Sequence, residues 1–402
     1  MTNDDVGDYH YTPVPEISSR QVGLVRADTD PTEAVANANQ FLTDSGSGWR
    51  VTVEEPGTHA FVIPLVLEHS PQRGRRPVPE HLDVLQLMPD LNALLDPLLV
   101  GTVAYKPGAL TRGDHGRVPV SVRLGPPPRR PAEGRRPVVA ILDTAVSAHD
   151  WWDDDPAGDR FCVDARERGW NPGPRLPAET EAEPAASREL AEQEGHGTFT
   201  AGLVRQIAPD AQVLAVQTIA DDGIVQGDHV LNALEWVRGQ LTEGDVVCLP
   251  FGFRPMLPAD RRYLDWLAVV LGRLANARVT VVAAAGNDGG EDPVYPAAFA
   301  VSPGTPEEFR MRSVGAFNVR DDETRAYYSN GGNWVTRWEI GTSLISTFPA
   351  VNGAAAAQFD LPAKDRPRRS ADPDDFSGGF ARWSGTSFAA AIHAARIAAG
   401  TA

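Results

Sequence analysis

The sequence predicts an α/β protein in which a doubly wound, mainly parallel sheet has helices on both faces and follows a small α+β, ferredoxin-like domain. Two observations carry this prediction. In the larger, C-terminal part of the chain, short apolar runs alternate with amphipathic helical segments, and this alternation is typical of consecutive βαβ units. In the N-terminal part, strand and helix patterns follow one another in the order βαββαβ, which is the order of a ferredoxin-like unit.

The N-terminal domain is predicted over residues 21–107, after a tail of residues 1–20. Its first helix is expected to begin at Pro31, because proline is tolerated at the first helical position, where its missing N–H would have no partner. The expected elements are, in order, strand 21–27, helix 31–43, strands 49–55 and 58–67, helix 79–95 and strand 101–105.

A segment rich in proline, glycine and arginine, residues 108–136, follows this domain. At its centre stands Pro126-Pro127-Pro128-Arg129-Arg130-Pro131, and proline holds the backbone extended and excludes regular structure. The segment is therefore predicted to be a linker. An exposed chain of this kind is also a place where a peptidase can cut. Because the sequence names no scissile bond, an uncut spacer and a cleaved linker both remain open.

The main domain is predicted over residues 137–402. Ligands of a doubly wound sheet bind at the carboxyl ends of its strands. Asp143, Pro250 and Asn287 each come just after such an end, so this edge of the sheet is the expected site. The parallel strands are expected at residues 138–142, 213–218, 245–249, 279–284 and 311–315, and the helices at residues 197–206, 227–240, 259–276 and 386–399.

Four short segments place a complete set of catalytic groups in the main domain. A serine hydroxyl becomes an effective nucleophile when a histidine accepts its proton, an acid fixes the tautomer of that histidine, and preorganised donors stabilise the oxyanion. Asp143, His196, Asn287 and Ser387 are the candidates for acid, base, oxyanion donor and nucleophile. The segments that contain them are Ile141-Leu142-Asp143-Thr144, Gly195-His196-Gly197-Thr198, Ala284-Ala285-Gly286-Asn287 and Ser384-Gly385-Thr386-Ser387-Phe388-Ala389.

The candidate acid, base and nucleophile follow in the chain order Asp, His, Ser, which is the order of the subtilisin type of triad. With these segments the chain resembles the subtilisin-like serine peptidases (subtilases) from about residue 136 to its end. The resemblance implies a subtilisin-like catalytic domain and a serine endopeptidase that works through an acyl-enzyme. In that role Ser387 attacks the scissile carbonyl, His196 transfers the proton, Asp143 orients His196, and Asn287 donates to the oxyanion.

The resemblance also indicates where substrate binds. In the family, an extended substrate pairs with a strand edge that carries a Ser-Leu-Gly segment. Here Pro250 replaces that serine and has no backbone N–H to donate, and Phe251 is expected to narrow or cap the main specificity pocket. A medium-sized apolar side chain is the expected preference. The expected substrate-binding residues are Leu249, Pro250, Phe251 and Gly252 on one wall and Ala284, Ala285 and Gly286 on the other.

A second hypothesis is a catalytically weak or inactive module of the same fold that binds peptides or signals. The complete triad together with Asn287 favours catalysis, whereas Pro250 keeps the second hypothesis open. A lipase-like hydrolase is disfavoured because no Gly-x-Ser-x-Gly elbow surrounds Ser387. Many subtilases carry a unit like residues 21–107 as a folding aid and inhibitor, and an independent partner-binding domain fits the same pattern.

Composition narrows the expected partners. A formal net charge of −17 argues against nucleic acid, because phosphate binding depends on clustered Lys and Arg. The acidic start Met1-Thr2-Asn3-Asp4-Asp5 is unlike a secretory signal, and no apolar run approaches the ~20 residues that cross a bilayer. No membrane partner is therefore expected, a cytoplasmic location is predicted, and a protein or peptide substrate is the expected partner.

No cofactor is expected, because triad chemistry needs none, and no metal site is assigned. The stretch between residues 148 and 194 contains acidic runs such as Asp153-Asp154-Asp155 and is predicted to be mainly solvated loop. Calcium binds carboxylates in many subtilase loops, but no ordered ligand spacing is visible, so calcium stays unassigned. With two cysteines there is no disulfide framework, and Cys248, in an apolar run, is expected to be a buried structural thiol.

Overall fold

A computed structural model of the chain describes residues 21–45, 48–54, 60–69, 104–105, 116–121, 124–152, 159–171, 190–221, 223–255, 258–301, 311–319, 321–353, 360–361, 368–370 and 372–402. The predicted tail of residues 1–20, the predicted helix 79–95 and the acidic run 153–155 lie outside the described residues. Among the helices in these ranges, none combines the length and the apolar character needed to cross a membrane.

The N-terminal domain contains, in its described part, a three-stranded antiparallel sheet with β3 in the centre. One helix packs on this sheet and buries Ala38 and Leu42 against Val51 and Leu65. The elements are β1 (Gln21–Arg26), α1 (Thr32–Asp44), β2 (Trp49–Val53) and β3 (Val62–His69).

Further along the described chain, all five parallel strands and all four helices predicted for the main domain are present, so these predictions are confirmed. The shorter strands were not predicted. The strands are β4 (Ala104–Tyr105), β5 (Val118–Pro119), β6 (Val138–Asp143), β7 (Cys162–Asp164), β8 (Gln212–Gln217), β9 (Val225–Gln226), β10 (Val246–Leu249), β11 (Thr280–Ala284), β12 (Met311–Asn318), β13 (Asp321–Arg325), β14 (Arg337–Ile340), β15 (Leu344–Thr347), β16 (Asp360–Leu361), β17 (Arg368–Arg369) and β18 (Phe380–Trp383). The helices are α2 (His196–Ile207), α3 (Gly227–Arg238), α4 (Pro258–Asn276) and α5 (Thr386–Ala398).

The central sheet has the strand order β7-β8-β6-β10-β11-β12, and β13 and β14 both pair with β12, which makes eight strands within the described residues. All of these pairs are parallel except β12 with β13. The chain places β7 and β8 on one side of β6 and the later strands on the other side. Such a reversal opens a crevice at the carboxyl ends of the neighbouring strands, and Asp143 is the last residue of β6.

Alternate residues of β6 pack into two different cores. Ala140 and Leu142 belong to the core that contains residues of α3 and α4, whereas Val139 and Ile141 belong to the core that contains residues of α2 and α5. The continuous apolar run of β6 reflects this burial on both faces. Because side chains alternate along a strand, Asp143 continues the second set and faces α2 and α5.

The described end of the predicted strand 101–105 is β4, and its partner lies in the main domain. β4 pairs antiparallel with β9, immediately before α3, and not with the N-terminal sheet. An extended segment adds to an exposed strand edge through backbone hydrogen bonds. The segment that leaves the N-terminal domain therefore lies along an edge of the main domain.

The described part of the predicted linker is attached to the main domain. β5 pairs antiparallel with β18. Arg129 donates to the backbone carbonyl oxygens of Asp159 at 2.5 Å and Pro209 at 2.8 Å, and Arg135 donates to the buried carboxylate of Asp245 at 2.9 and 2.5 Å. The basic residues therefore anchor this segment, while the domain boundaries themselves stay a prediction.

Both cysteines lie in the central sheet and are free thiols. Cys248 of β10 is fully buried, as predicted, and burial raises the pKa of its thiol. Cys162 lies in β7, inside the stretch that was predicted to be mainly loop. β7 has three residues, which is too short for a periodic pattern to show in the sequence.

Candidate active site

Asp143 is buried and accepts hydrogen bonds on both carboxylate oxygens. Its Oδ1 accepts from the backbone N–H of Thr144 at 2.6 Å, and its Oδ2 accepts from the hydroxyl of Thr200 at 2.9 Å. The Nδ1 of His196 lies 2.7 Å from Oδ1 and 2.9 Å from Oδ2. A buried carboxylate requires such partners, and together they fix the orientation in which Asp143 meets the imidazole.

His196 is the first residue of α2. Because its Nδ1–H donates to Asp143, its Nε2 carries the lone pair that can accept a proton. The ring is flanked by two aromatic side chains, with 5.5 Å between the ring centroids of His196 and Trp383 and 5.0 Å between those of His196 and Phe388. The carboxylate and the two rings therefore hold the imidazole in one position.

Glycines on both sides of His196 allow a close approach of neighbouring segments. Gly195 has a φ of 79°, and a Cβ there would lie 2.4 Å from the ring of Phe348. A Cβ on Gly197 would lie 2.3 Å from the carbonyl oxygen of Thr144, the residue after Asp143. A larger residue at Gly197 would push α2 away from the end of β6 and so separate His196 from its carboxylate.

Ser387 is buried and is the second residue of α5. The start of a helix carries unpaired N–H groups and the positive end of the helix dipole, which favour negative charge. Ser387 lines one cleft together with Asp143, His196 and Asn287. Its hydroxyl donates to the backbone carbonyl oxygen of Pro250 at 2.7 Å, so this hydrogen bond has to break before the proton can pass to His196.

Asn287 lies at the carboxyl end of β11 and contacts the start of α5. Its Oδ1 accepts from the backbone N–H of Thr386 at 2.9 Å and from the Thr386 hydroxyl at 2.8 Å. The same hydroxyl accepts from the backbone N–H of Gly286 at 3.0 Å. These bonds identify the oxygen end of the amide, so that Nδ2 is the end that can donate to an oxyanion beside Ser387.

The structure thus brings the four predicted catalytic side chains into one cleft. Sequence reasoning missed several residues that also line it. Ile219 and Gln193 come from the segments after β8 and before α2, and Trp383 is the last residue of β18. Only Trp383 had a signal in the sequence, because it directly precedes the Ser384-Gly385-Thr386-Ser387 segment. The further lining residues are Thr144, Pro250, Ser384, Gly385 and Phe388.

Arg117, in the predicted linker, supports the segment that leads to His196. Its guanidinium donates to the backbone carbonyl oxygens of Ala191 at 2.7 Å and Glu194 at 2.8 Å. The guanidinium carbon also lies 5.8 Å from the ring centroid of Trp383 and 5.9 Å from that of Phe348, within the range of cation–π attraction. Arg117 therefore joins the predicted linker to the segment before His196 and to Trp383, which lines the cleft.

His149 ties the loop after Asp143 to Gly379, the residue before β18. Its Nε2 lies 2.9 Å from the carbonyl oxygen of Gly379, and its Nδ1 accepts from the backbone N–H of Trp151 at 3.1 Å. Burial lowers the pKa of His149. A neutral imidazole with one donor and one acceptor nitrogen satisfies both contacts, so His149 has a structural place here.

The predicted substrate-binding residues do not all reach the cleft. Pro250 lines it, whereas Phe251, which was expected to narrow or cap the pocket, is 2% exposed and belongs to the core with Leu249 and Ala285. The described residues that line the cleft do not include Phe251. The substrate-binding role of the two walls stays a prediction.

Metal binding has no candidate group in the described ranges, where no three His, Cys, Asp or Glu side chains are grouped to hold an ion. The acidic run 153–155 lies outside those ranges, and calcium stays unassigned.

Comparison with known proteins points to one family. A model described as the subtilase family matches residues 134–401. The chain is similar to Subtilisin-like protease 10 of Arthroderma otae (29% identical over 164 residues, 39% of this chain and 37% of the relative). It is also similar to the Minor extracellular protease Epr of Bacillus subtilis (25% identical over 226 residues, 54% of this chain and 28% of the relative). The chain thus spans less than two fifths of the length of these relatives. A solved cold adapted subtilisin-like serine proteinase is 18% identical with a TM-score of 0.43, covering 65% of this chain and 74% of that one.

Proposed function

Because the chain belongs to the subtilase family, we propose that it is a serine endopeptidase that hydrolyses protein or peptide substrates through an acyl-enzyme on Ser387. The observation that carries the proposal is the pairing of His196 Nδ1 with both oxygens of the buried Asp143, at 2.7 and 2.9 Å, in the cleft that Ser387 and Asn287 also line. This pairing orients an imidazole as a general base.

The proposed reaction has two steps, acylation of Ser387 and hydrolysis of the acyl-enzyme, and the same catalytic groups act in both. The Ser387 hydroxyl leaves the carbonyl of Pro250, gives its proton to Nε2 of His196 and attacks the scissile carbonyl carbon. Asn287 Nδ2 and the backbone N–H of Ser387, at the start of α5, donate to the oxyanion. His196 then protonates the leaving amine, and a water molecule releases the acyl group by the same steps. Asp143 stabilises the imidazolium in both halves.

The test is covalent labelling of the purified chain with a fluorophosphonate probe. We expect stoichiometric modification of Ser387, located by peptide mass mapping, and no labelling of Ser387→Ala. The hydrogen bond from Ser387 to Pro250 is the observation that favours the second candidate, a weak or inactive peptide-binding module. If the intact and folded chain binds peptides but its Ser387 resists the probe, the second candidate replaces the peptidase.

The N-terminal domain is proposed to act as an inhibitor-like cover of the main domain, since the two make direct contacts. The Oδ1 of Asn232, on α3, accepts from the backbone N–H groups of Phe61 at 2.8 Å and Val62 at 2.9 Å. The Phe61 ring lies 6.3 Å from the ring of Trp266 and 5.3 Å from the guanidinium carbon of Arg273, both on α4. Phe61 and Val62 thereby enter the core of the main domain.

The way the N-terminal domain continues supports the same proposal. β4 leaves it and pairs with β9, and β9 follows Ile219, which lines the cleft. The next described segment, which contains Arg117 and β5, is bound to the main domain. β4 thereby occupies a strand edge close to the cleft, and an extended substrate also needs a strand edge there.

We predict that residues 1–107, added as a separate chain, slow peptide hydrolysis by a chain that starts at Gly108. Inhibition should follow the contacts of Phe61, so Phe61→Ala in the added chain should raise the inhibition constant by about 10-fold or more, as for a buried aromatic anchor. Val53→Ala is the matched control, because Val53 is 41% exposed and should leave inhibition unchanged. Inhibition kinetics provide the measurement. A main domain that is folded, active and indifferent to the added chain would make residues 1–107 an independent partner-binding domain.

A further inference from the structure

The pocket for the substrate side chain on the acyl side of the scissile bond has two predicted walls, residues 249–252 at the end of β10 and residues 284–286 at the end of β11. The carbonyl carbon has to meet Ser387 Oγ, which lies against Pro250, while the carbonyl oxygen meets the amide of Asn287. The side chain on the acyl side of the bond is then expected between these two predicted walls, as the family resemblance implies. These segments continue from paired strands, and an ideal Cβ on Gly252 would lie 3.7 Å from the carbonyl oxygen of Ala284. They therefore form the two walls of a narrow slot.

Val294 occupies this slot. An ideal Cβ on Gly252 would lie 2.5 Å from Val294 Cγ1, and an ideal Cβ on Gly286 would lie 3.7 Å from Val294 Cγ2. The two methyl groups of one side chain thus reach both walls. Val294 is 3% exposed and belongs to the core, so it is packed in place.

The backbone next to Val294 prevents it from moving aside. Phe253 and Tyr295 form an antiparallel bridge, in which each backbone N–H donates to the carbonyl oxygen of the other at 2.7 and 2.8 Å. Pro250 and Asn287 line the open cleft, but Gly252, Gly286 and Val294 do not appear among its described lining residues. Val294 therefore fills the space between Gly252 and Gly286.

We propose that Val294 closes the pocket for the acyl-side residue, so that the enzyme accepts glycine, alanine or serine there and excludes aromatic and long aliphatic residues. The proposal rests on the proposed function, because it concerns the same acyl-transfer site. It replaces the medium-sized apolar preference expected from the sequence. Forcing extra carbon atoms into a packed core displaces side chains and backbone, and a single methylene in such a pocket changes kcat/KM by about 10- to 200-fold.

The test measures acylation of the purified full-length chain by p-nitrophenyl esters of N-acetylalanine and N-acetylphenylalanine. For the unmodified chain we expect kcat/KM for the alanine ester to exceed that for the phenylalanine ester by about 10²-fold. Val294→Ala should lower this ratio by about 10-fold, and Val294→Gly should lower it further. Val213→Ala removes the same two methyl groups from a fully buried valine near the amino end of β8 and should leave the ratio unchanged.

Thermal unfolding monitored by circular dichroism shows which variants are folded, and Val294→Ala decides the test if Val294→Gly does not fold. A phenylalanine preference in the unmodified chain, or a ratio that folded Val294 variants do not change, would overturn the proposal. Hydrolysis of peptides with alanine on the acyl side of the scissile bond separates the pocket assignment from the endopeptidase proposal. If the ester preference follows Val294 but no such peptide is cleaved, the pocket assignment stands and the endopeptidase proposal fails. If no ester acylates Ser387, both fail.

Discussion

Ser387→Ala and His196→Ala are each expected to lower kcat for peptide hydrolysis by about 10⁶-fold, and the double variant is expected to lose little more. The reason is that the serine is a poor nucleophile without the histidine and the histidine has no proton to accept without the serine. Losses from groups that act as a unit are not additive. Steady-state kinetics on a chromogenic peptide provide the measurement. The concentration of each variant is determined, and circular dichroism shows that it is folded.

Ser377→Ala is the control for this series. Ser377 is exposed and its backbone N–H donates to Asp375 at 3.0 Å, away from the cleft residues, so activity should stay unchanged. Near-normal hydrolysis by purified Ser387→Ala would remove the nucleophile assignment. Losses that multiply in the double variant would indicate that the two side chains act in separate steps.

Asn287→Ala is expected to lower kcat by about 10²- to 10³-fold with little change in KM, because an oxyanion donor acts mainly in the transition state. The structure complicates this variant. Asn287 Oδ1 also accepts from the backbone N–H and the hydroxyl of Thr386, so alanine removes both the donor and a support of α5.

Asn287→Asp separates these two contributions. Aspartate keeps an oxygen that can accept from Thr386 but has no amide to donate, and its charge opposes the oxyanion. If the donor matters, Asn287→Asp should lose at least as much kcat as Asn287→Ala. If the support of α5 matters instead, Asn287→Asp should lose less kcat than Asn287→Ala. A change confined to KM in both variants would assign Asn287 to ground-state binding.

The local pattern of apolar residues was sufficient to predict the five longer parallel strands and the four helices of the main domain. The apolar runs that became β6, β8, β10, β11 and β12 are continuous because both faces of the sheet are covered, and this burial is visible in the sequence itself. The period of a strand even indicates that Asp143 shares a face with Val139 and Ile141, where α2 and α5 lie. The short edge strands β7 and β14 had no such signal, because three or four residues carry too little periodicity.

The sequence also indicated the candidate catalytic side chains, because each lies in a short segment whose neighbouring residues suit its role, and those roles stay a prediction. Gly197 is an example, because the approach of α2 to Thr144 leaves no space for a Cβ. Motif chemistry was therefore sufficient to indicate Asp143, His196, Asn287 and Ser387. It could not indicate that the Ser387 hydroxyl would bond to Pro250, because a rotamer depends on what surrounds it.

Sequence by itself thus determined the order of the five longer parallel strands and the four helices of the main domain, and it indicated the four candidate catalytic residues. Tertiary structure alone decided that Arg117 supports the segment before His196, that Phe61 packs on α4, and that Val294 fills the slot between Gly252 and Gly286. The physical reason is the separation along the chain of the residues that interact. Strand periodicity and catalytic motifs are properties of residues adjacent in the chain, whereas these contacts join residues distant in the chain, and their existence depends on how whole helices and strands pack.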